Sequence, residues 1–296
     1  MGVHATGTGP RARRPRRSRV VAAGALLAGA ALLSSCALGG PADTSDAFGT
    51  WSAQRLRRAT ADIRTPHGMS YTPVPRVGNA RIGALFDHDA SGDHFCSASV
   101  VHSPGKDLVL TAAHCIHGGQ GSGYRKDIVF VPSYRDGAAP NGTWRVSALV
   151  VDPRWTKTSD PDLDVGFVIL RPLHGRHVED VLGADNLGVN TPFGRPVRLT
   201  GYPSSGQEPI SCVNTTIRQS ARQLRVNCVG FPGGTSGSPW LTGYDPAAGT
   251  GTVIGVIGGF QEGGDTADVS YSAYFGADVR KLYERAVALD GGGKKR

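Results

Sequence analysis

Ser236 stands in the run Gly233-Gly234-Thr235-Ser236-Gly237-Ser238-Pro239-Trp240. A serine between glycines suits nucleophilic chemistry. Glycine permits backbone angles that other residues avoid, so a hydroxyl can project while nearby N–H groups converge on one point. The same run is also an ordinary turn, so its chemistry depends on partners elsewhere. Upstream, Leu108-Val109-Leu110-Thr111-Ala112-Ala113-His114-Cys115 carries an imidazole at the end of an apolar stretch. Between the two, Asp162-Leu163-Asp164-Val165-Gly166-Phe167-Val168-Ile169-Leu170 carries carboxylates just before another apolar stretch. Histidine, aspartate and serine thus follow one of the known orders of a serine triad. In such a triad the imidazole takes the proton of a hydroxyl that is otherwise a poor nucleophile, and the carboxylate fixes its tautomer.

Other triad orders fit less well. An α/β-hydrolase needs Gly-x-Ser-x-Gly with its histidine downstream, but position 238 is Ser and the last histidine is His177. A subtilisin-like order needs an aspartate on a strand before His114. Asp107 is available, but the alternating strand–helix pattern of that fold is missing.

The elements that must carry these residues are short and β-rich. Gly and Pro punctuate brief β-branched runs, which predicts an all-β architecture. Strands are predicted at 82–86, 94–101, 107–111, 126–131, 144–151 and 166–170 in a first half. The stretch 185–193 reads as a crossing. A second half has predicted strands at 196–201, 253–257 and 271–274, and a hairpin of 210–217 with 223–229. Residues 277–288 have the 3.6-residue spacing of an amphipathic closing helix. The domain is expected to span 80–290, with 291–296 a disordered tail.

The net charge is +8, but six of those charges are Arg11, Arg13, Arg14, Arg16, Arg17 and Arg19, and residues 1–35 hold no acid. The remainder carries only +2 and no basic stripe, which argues against nucleic acid as a partner. Residues 1–35 read as an export signal: an arginine-rich start, then an apolar stretch from Val20 to Leu33 that is short for a membrane span. It ends in Leu33-Ser34-Ser35-Cys36, which resembles a bacterial lipobox with Cys36 as the lipidated residue and a membrane anchor. Residues 36–79 read as a linker or propeptide, with a short helix expected near 51–61. Five cysteines leave one over in an exported chain. If Cys36 carries lipid, Cys96 with Cys115 and Cys212 with Cys228 form two local disulfides, each contributing on the order of 3 kcal/mol. No metal-type spacing competes.

The three motifs and their order resemble the chymotrypsin-like (trypsin-like) serine peptidases, nearest the bacterial branch with the glutamyl endopeptidases, over roughly residues 80–290. The resemblance implies two six-stranded antiparallel Greek-key barrels with the site between them. It implies a polypeptide substrate, no cofactor, no metal and a monomer. It assigns His114, Asp164 and Ser236 as the triad and the N–H groups of Gly234 and Ser236 as the oxyanion hole. Asp164 is favoured over Asp162 because the family's aspartate directly precedes the apolar run. Ser238 matches the structural end of its motif, and His94, His102 and His117 lie outside theirs. Substrate-binding positions carried over are Gly230, Gly233, Ile257, Gly258, Gly259 and Phe260, with Gly258-Gly259-Phe260 expected as an edge that pairs with substrate backbone. Thr235 stands where animal relatives have the aspartate that captures a new N-terminus, so activation by that ion pair is not expected. No charge lies at the base of the specificity pocket and Ile257 replaces the histidine of glutamyl endopeptidases, which favours a neutral or small side chain. Asp265 and Asp268 are the acids that would instead favour a basic one.

Overall fold

The computed structural model describes residues 51–53, 56, 70–73, 80–89 and 92–291. The expected export signal, Cys36, most of the expected 36–79 linker and residues 292–296 lie outside the described residues.

Six strands close a first antiparallel barrel: β1 (Ile82–Asp89), β2 (Gly92–Val100), β3 (Leu108–Thr111), β4 (Lys126–Pro132), β5 (Trp144–Val151) and β6 (Gly166–Leu170), in the order β1-β2-β3-β6-β5-β4. Their sequences are apolar on both faces, and the period of two explains why. Leu85, Val109, Phe130, Val168 and Leu170 point into the barrel. Their neighbours Ala84, Phe86, Leu108, Leu110, Val129, Val131, Phe167 and Ile169 join a second cluster, together with Leu241 and Val253 from the other half. The outer face of this barrel is therefore a second core.

The chain crosses at Asp185, whose N–H donates to the Val100 carbonyl and whose carbonyl accepts from His102. The second half holds a five-stranded sheet, ordered β7 (Asn186–Leu187), β13 (Thr250–Val256), β12 (Pro239–Asp245), β8 (Pro196–Gly201) and β9 (Ile210–Thr215). A three-stranded sheet contains β10 (Ile217–Arg218), β11 (Gln223–Val226) and β14 (Ser270–Ala273). The second half thus holds eight strands, β7 to β14, divided between these two sheets. Short helices α1 (Trp155–Thr158) and α2 (Val178–Leu182) were not legible from periodicity. Helix α3 (Ala277–Asp290) lays Val279, Leu282 and Ala286 on the shared core.

The expected 210–217/223–229 hairpin is corrected. Residues 210–215 pair with β8, and only Ile217–Arg218 pair with β11. The break falls at buried Thr216, whose N–H donates to the Arg195 carbonyl and whose Oγ1 accepts the Arg195 N–H at 2.9 Å. The Cys212–Cys228 disulfide then ties the two sheets instead of the two arms of one hairpin. Strand β12 was missed because Pro239 and Trp240 read as the end of a turn.

Candidate active site

Strand β3 delivers His114. Its last residue, Thr111, donates to the Ser97 carbonyl at 2.8 Å, and buried Ala112 and Ala113 follow. The chain then winds once, with the N–H groups of Ile116 and His117 both donating to the Ala113 carbonyl. The Cys96–Cys115 disulfide bolts this turn to β2. A 3-10 turn, Pro161–Leu163, delivers Asp164 from the other side. Asp160 caps that turn by accepting the Asp162 N–H, and buried Leu163 anchors it.

His114 Nδ1 donates to Asp164 Oδ2 at 2.8 Å, the His114 N–H donates to Oδ1 at 2.9 Å, and the Gly259 N–H donates to Oδ2 at 2.8 Å. A carboxylate only accepts, so Nδ1 carries the proton and Nε2 is left as the basic nitrogen. The Asp164 side chain is 0% exposed and that of His114 14%. Burial alone would push the Asp164 carboxyl up. The His114 charge and the hydrogen bonds from His114 and Gly259 outweigh it and hold the group below the usual carboxylate range. Burial also disfavours the imidazolium, but the Asp164 charge and hydrogen bond prevail, aided by Glu262 and opposed by Arg125, so His114 titrates above its ordinary value.

The rival residues go elsewhere. Asp162 pairs with Arg222 Nε at 2.8 Å and accepts from Gln223 Nε2 at 2.7 Å. Asp107 caps α2, accepting from the Val178 N–H and contacting His177. His102 pairs with Glu179, and His117 Nδ1 accepts the Gly119 N–H. The side chain of His94 lies outside the described residues.

Ser236 sits in a turn that only glycine allows at two points. Gly234 has φ +90°, and a Cβ there would stand 2.4 Å from the Ser204 nitrogen; Gly237 has φ +81°, and its Cβ would stand 2.1 Å from the Ser97 carbonyl oxygen. Thr235 and Ser238 are buried and spend their hydroxyls on the turn, donating to the carbonyls of Pro232 and Thr235, each at 2.6 Å. Among the described residues, the N–H groups of Gly234 and Ser236 meet no acceptor, and no hydrogen bond joins Ser236 Oγ to His114. The structure thus brings His114 and Asp164 into direct contact and ties the Ser236 backbone to β2.

That hold depends on Ser97, which sequence reasoning missed. Its N–H donates to the Ser236 carbonyl at 2.7 Å. Its hydroxyl donates to the Gly234 carbonyl at 3.1 Å and accepts the Tyr202 N–H at 2.8 Å. Ser97 follows Cys96, so one short run carries both the bolt to the histidine turn and the cradle of the serine turn. Cys96, Cys115 and His114 offer metal-type atoms within 4.8 Å of one another, but the two sulfurs are bonded together.

The expected edge at Gly258-Gly259-Phe260 has its donors occupied in this structure. All three N–H groups are engaged: Gly258 with the Tyr271 carbonyl, Gly259 with Asp164, and Phe260 with Gln223 Oε1 at 3.2 Å. Gly259 has φ +79° and ψ −127°, which turns the chain out of extended geometry into the 3-10 segment Phe260–Gly263. Among the described residues, the Gly258 carbonyl alone of this edge has no donor and is open to a substrate N–H. Ile257 is buried, and its carbonyl accepts the Gly237 N–H at 2.7 Å. Gly230 has φ +86° and Gly233 is exposed beside the serine turn.

The family model described as "Trypsin" matches residues 78–274. A comparison with curated protein sequences finds no match. Among solved structures, the protease Anisep from Arthrobacter nicotinovorans is 27% identical with a TM-score of 0.66, over 74% of this chain and 99% of its own. A thermostable serine protease, AL20, from an extremophilic microorganism is 29% identical with a TM-score of 0.66, over 72% and 99%. A Glu endopeptidase is 14% identical with a TM-score of 0.60, over 76% and 100%, a likeness of fold alone. The match over two thirds of the chain, on two packed β-rich halves with a buried His–Asp pair between them, places this chain in the trypsin family as a serine endopeptidase.

Proposed function

We propose that Ser236 is the nucleophile, His114 the general base and then acid, and Asp164 the group that orients His114 and stabilises its charged form. Ser236 Oγ attacks the scissile carbonyl as His114 Nε2 takes its proton. The Gly234 and Ser236 N–H groups receive the developing oxyanion, and His114 returns the proton to the leaving amine. Water then repeats the sequence to release the acyl-enzyme. The observation that carries this reading is the buried Asp164 carboxylate, which accepts the His114 N–H and Nδ1–H and leaves Nε2 basic.

The rest of the proposal stems from the sequence. Residues 1–35 export the chain, Cys36 receives lipid, and the peptidase domain at 80–290 works outside the cytoplasmic membrane on polypeptides. Two disulfides agree with an oxidising compartment. The test is labelling of the purified full chain by a fluorophosphonate, wild type beside Ser236→Ala. Labelling of the wild type alone is expected. Equal labelling of a folded Ser236→Ala variant would overturn the assignment.

A further inference from the structure

An open pocket of about 380 Å³ lies beside the turn that carries His114, lined by His88, Ser122, Tyr124, Arg125 and Lys126 among others. No step proposed above uses it. Its position follows from Arg125, whose Nε lies 3.4 Å from the His114 carbonyl oxygen. The pocket therefore adjoins the turn that carries His114, to which the Arg125 N–H is also tied through the Ile116 carbonyl. Its lining carries basic side chains. His88 and Lys126 face each other across β1 and β4. Arg125 shares its charge with buried Asp87 at 3.1 Å. The Lys126 ammonium is exposed and has no acidic partner among the described residues. Tyr124, 44% exposed and edge-on to His117, forms an apolar wall.

We propose that this pocket is a substrate subsite for an acidic side chain, with Lys126 as its main counter-charge and Arg125 as its second. That the pocket serves a peptide substrate rests on the proteolytic reading; the charge preference does not.

Binding to the full chain carrying Ser236→Ala tests it without turnover. Two randomised peptide pools are compared by fluorescence anisotropy, one built with Asp and Glu and the other with Asn and Gln in their place. The acidic pool is expected to bind about fivefold tighter. Added salt should shrink that advantage, Lys126→Gln should halve it or more, and Lys126→Glu should abolish it. Equal binding of the two pools, or an acidic preference that survives Lys126→Glu, overturns the subsite. If the wild type takes no fluorophosphonate label while the acidic preference persists and depends on Lys126, the proteolytic reading fails and the subsite stands.

Discussion

Asp164 accepts three hydrogen bonds with no exposed surface, and two of them come from one residue, His114. Removing the charge while keeping the shape should therefore leave a folded but misdirected imidazole. Asp164→Asn is expected to lower kcat by about 10⁴, measured by hydrolysis of an activated ester beside a thermal melt. His114 must be neutral to act as a base, and Asp164 raises its titration above the ordinary 6.5. Activity should accordingly fall as pH drops through a midpoint above 6.5. In Asp164→Asn the raising charge is gone while burial remains, so that limb should move to lower pH. A pH–kcat/KM profile of both proteins checks the sign. The charge-bearing residues were legible because each sits at a fixed place in a short motif. Ser97 was not, since nothing in Cys96-Ser97-Ala98 marks a hydroxyl that will brace a turn 139 positions on.

At the scale of elements, the site is held where loops are tied to strands. Gln223, at the start of β11, spans the gap: Nε2 donates to the Pro161 carbonyl at 3.0 Å and to Asp162, while Oε1 accepts the Phe260 N–H. It braces the turn before Asp164 against the segment after Gly259, and it occupies an N–H that an extended edge would offer to substrate. Gln223→Ala is expected to lower kcat about tenfold, the low end of what positioning effects cost, and to free the Phe260 N–H, so KM should fall or hold steady. A merely structural loss would lower Tm without that split. Gln223→Glu cannot donate to Pro161 and would face Asp162, so it should not rescue. The strands of the first barrel could be read from apolar runs, because burial on both faces leaves little polar alternation to misplace. The 210–217 hairpin misled because a strand that changes partner at Thr216 looks, residue by residue, like one that does not.

Across the whole molecule, the two halves are joined by shared apolar surface and by a polar crossing. Leu282 of α3 is buried in the cluster common to both halves. Leu282→Ala should cost about 2–5 kcal/mol and lower Tm without altering the pH profile of the remaining activity. Asp185 lies at the crossing, buried, with Oδ2 unpartnered and its carboxyl pushed up to about 6. Its folded value lies above its unfolded 3.8, so its contribution is fully present below 3.8 and is lost as pH rises through 6. Asp185→Asn, which still accepts the Gly251 N–H, should flatten that part of the Tm–pH curve, a difference on the order of 2–3 kcal/mol above pH 6. The bond between Cys96 and Cys115 has a consequence in time rather than space. It links the residue after His114 to the residue before Ser97, so oxidation adds a covalent tie to the hydrogen bonds that already relate the histidine turn to the serine turn. Fluorophosphonate labelling should slow sharply in Cys96→Ser/Cys115→Ser while the circular dichroism of the barrels persists, which would make oxidation, later than folding, the step that completes the site.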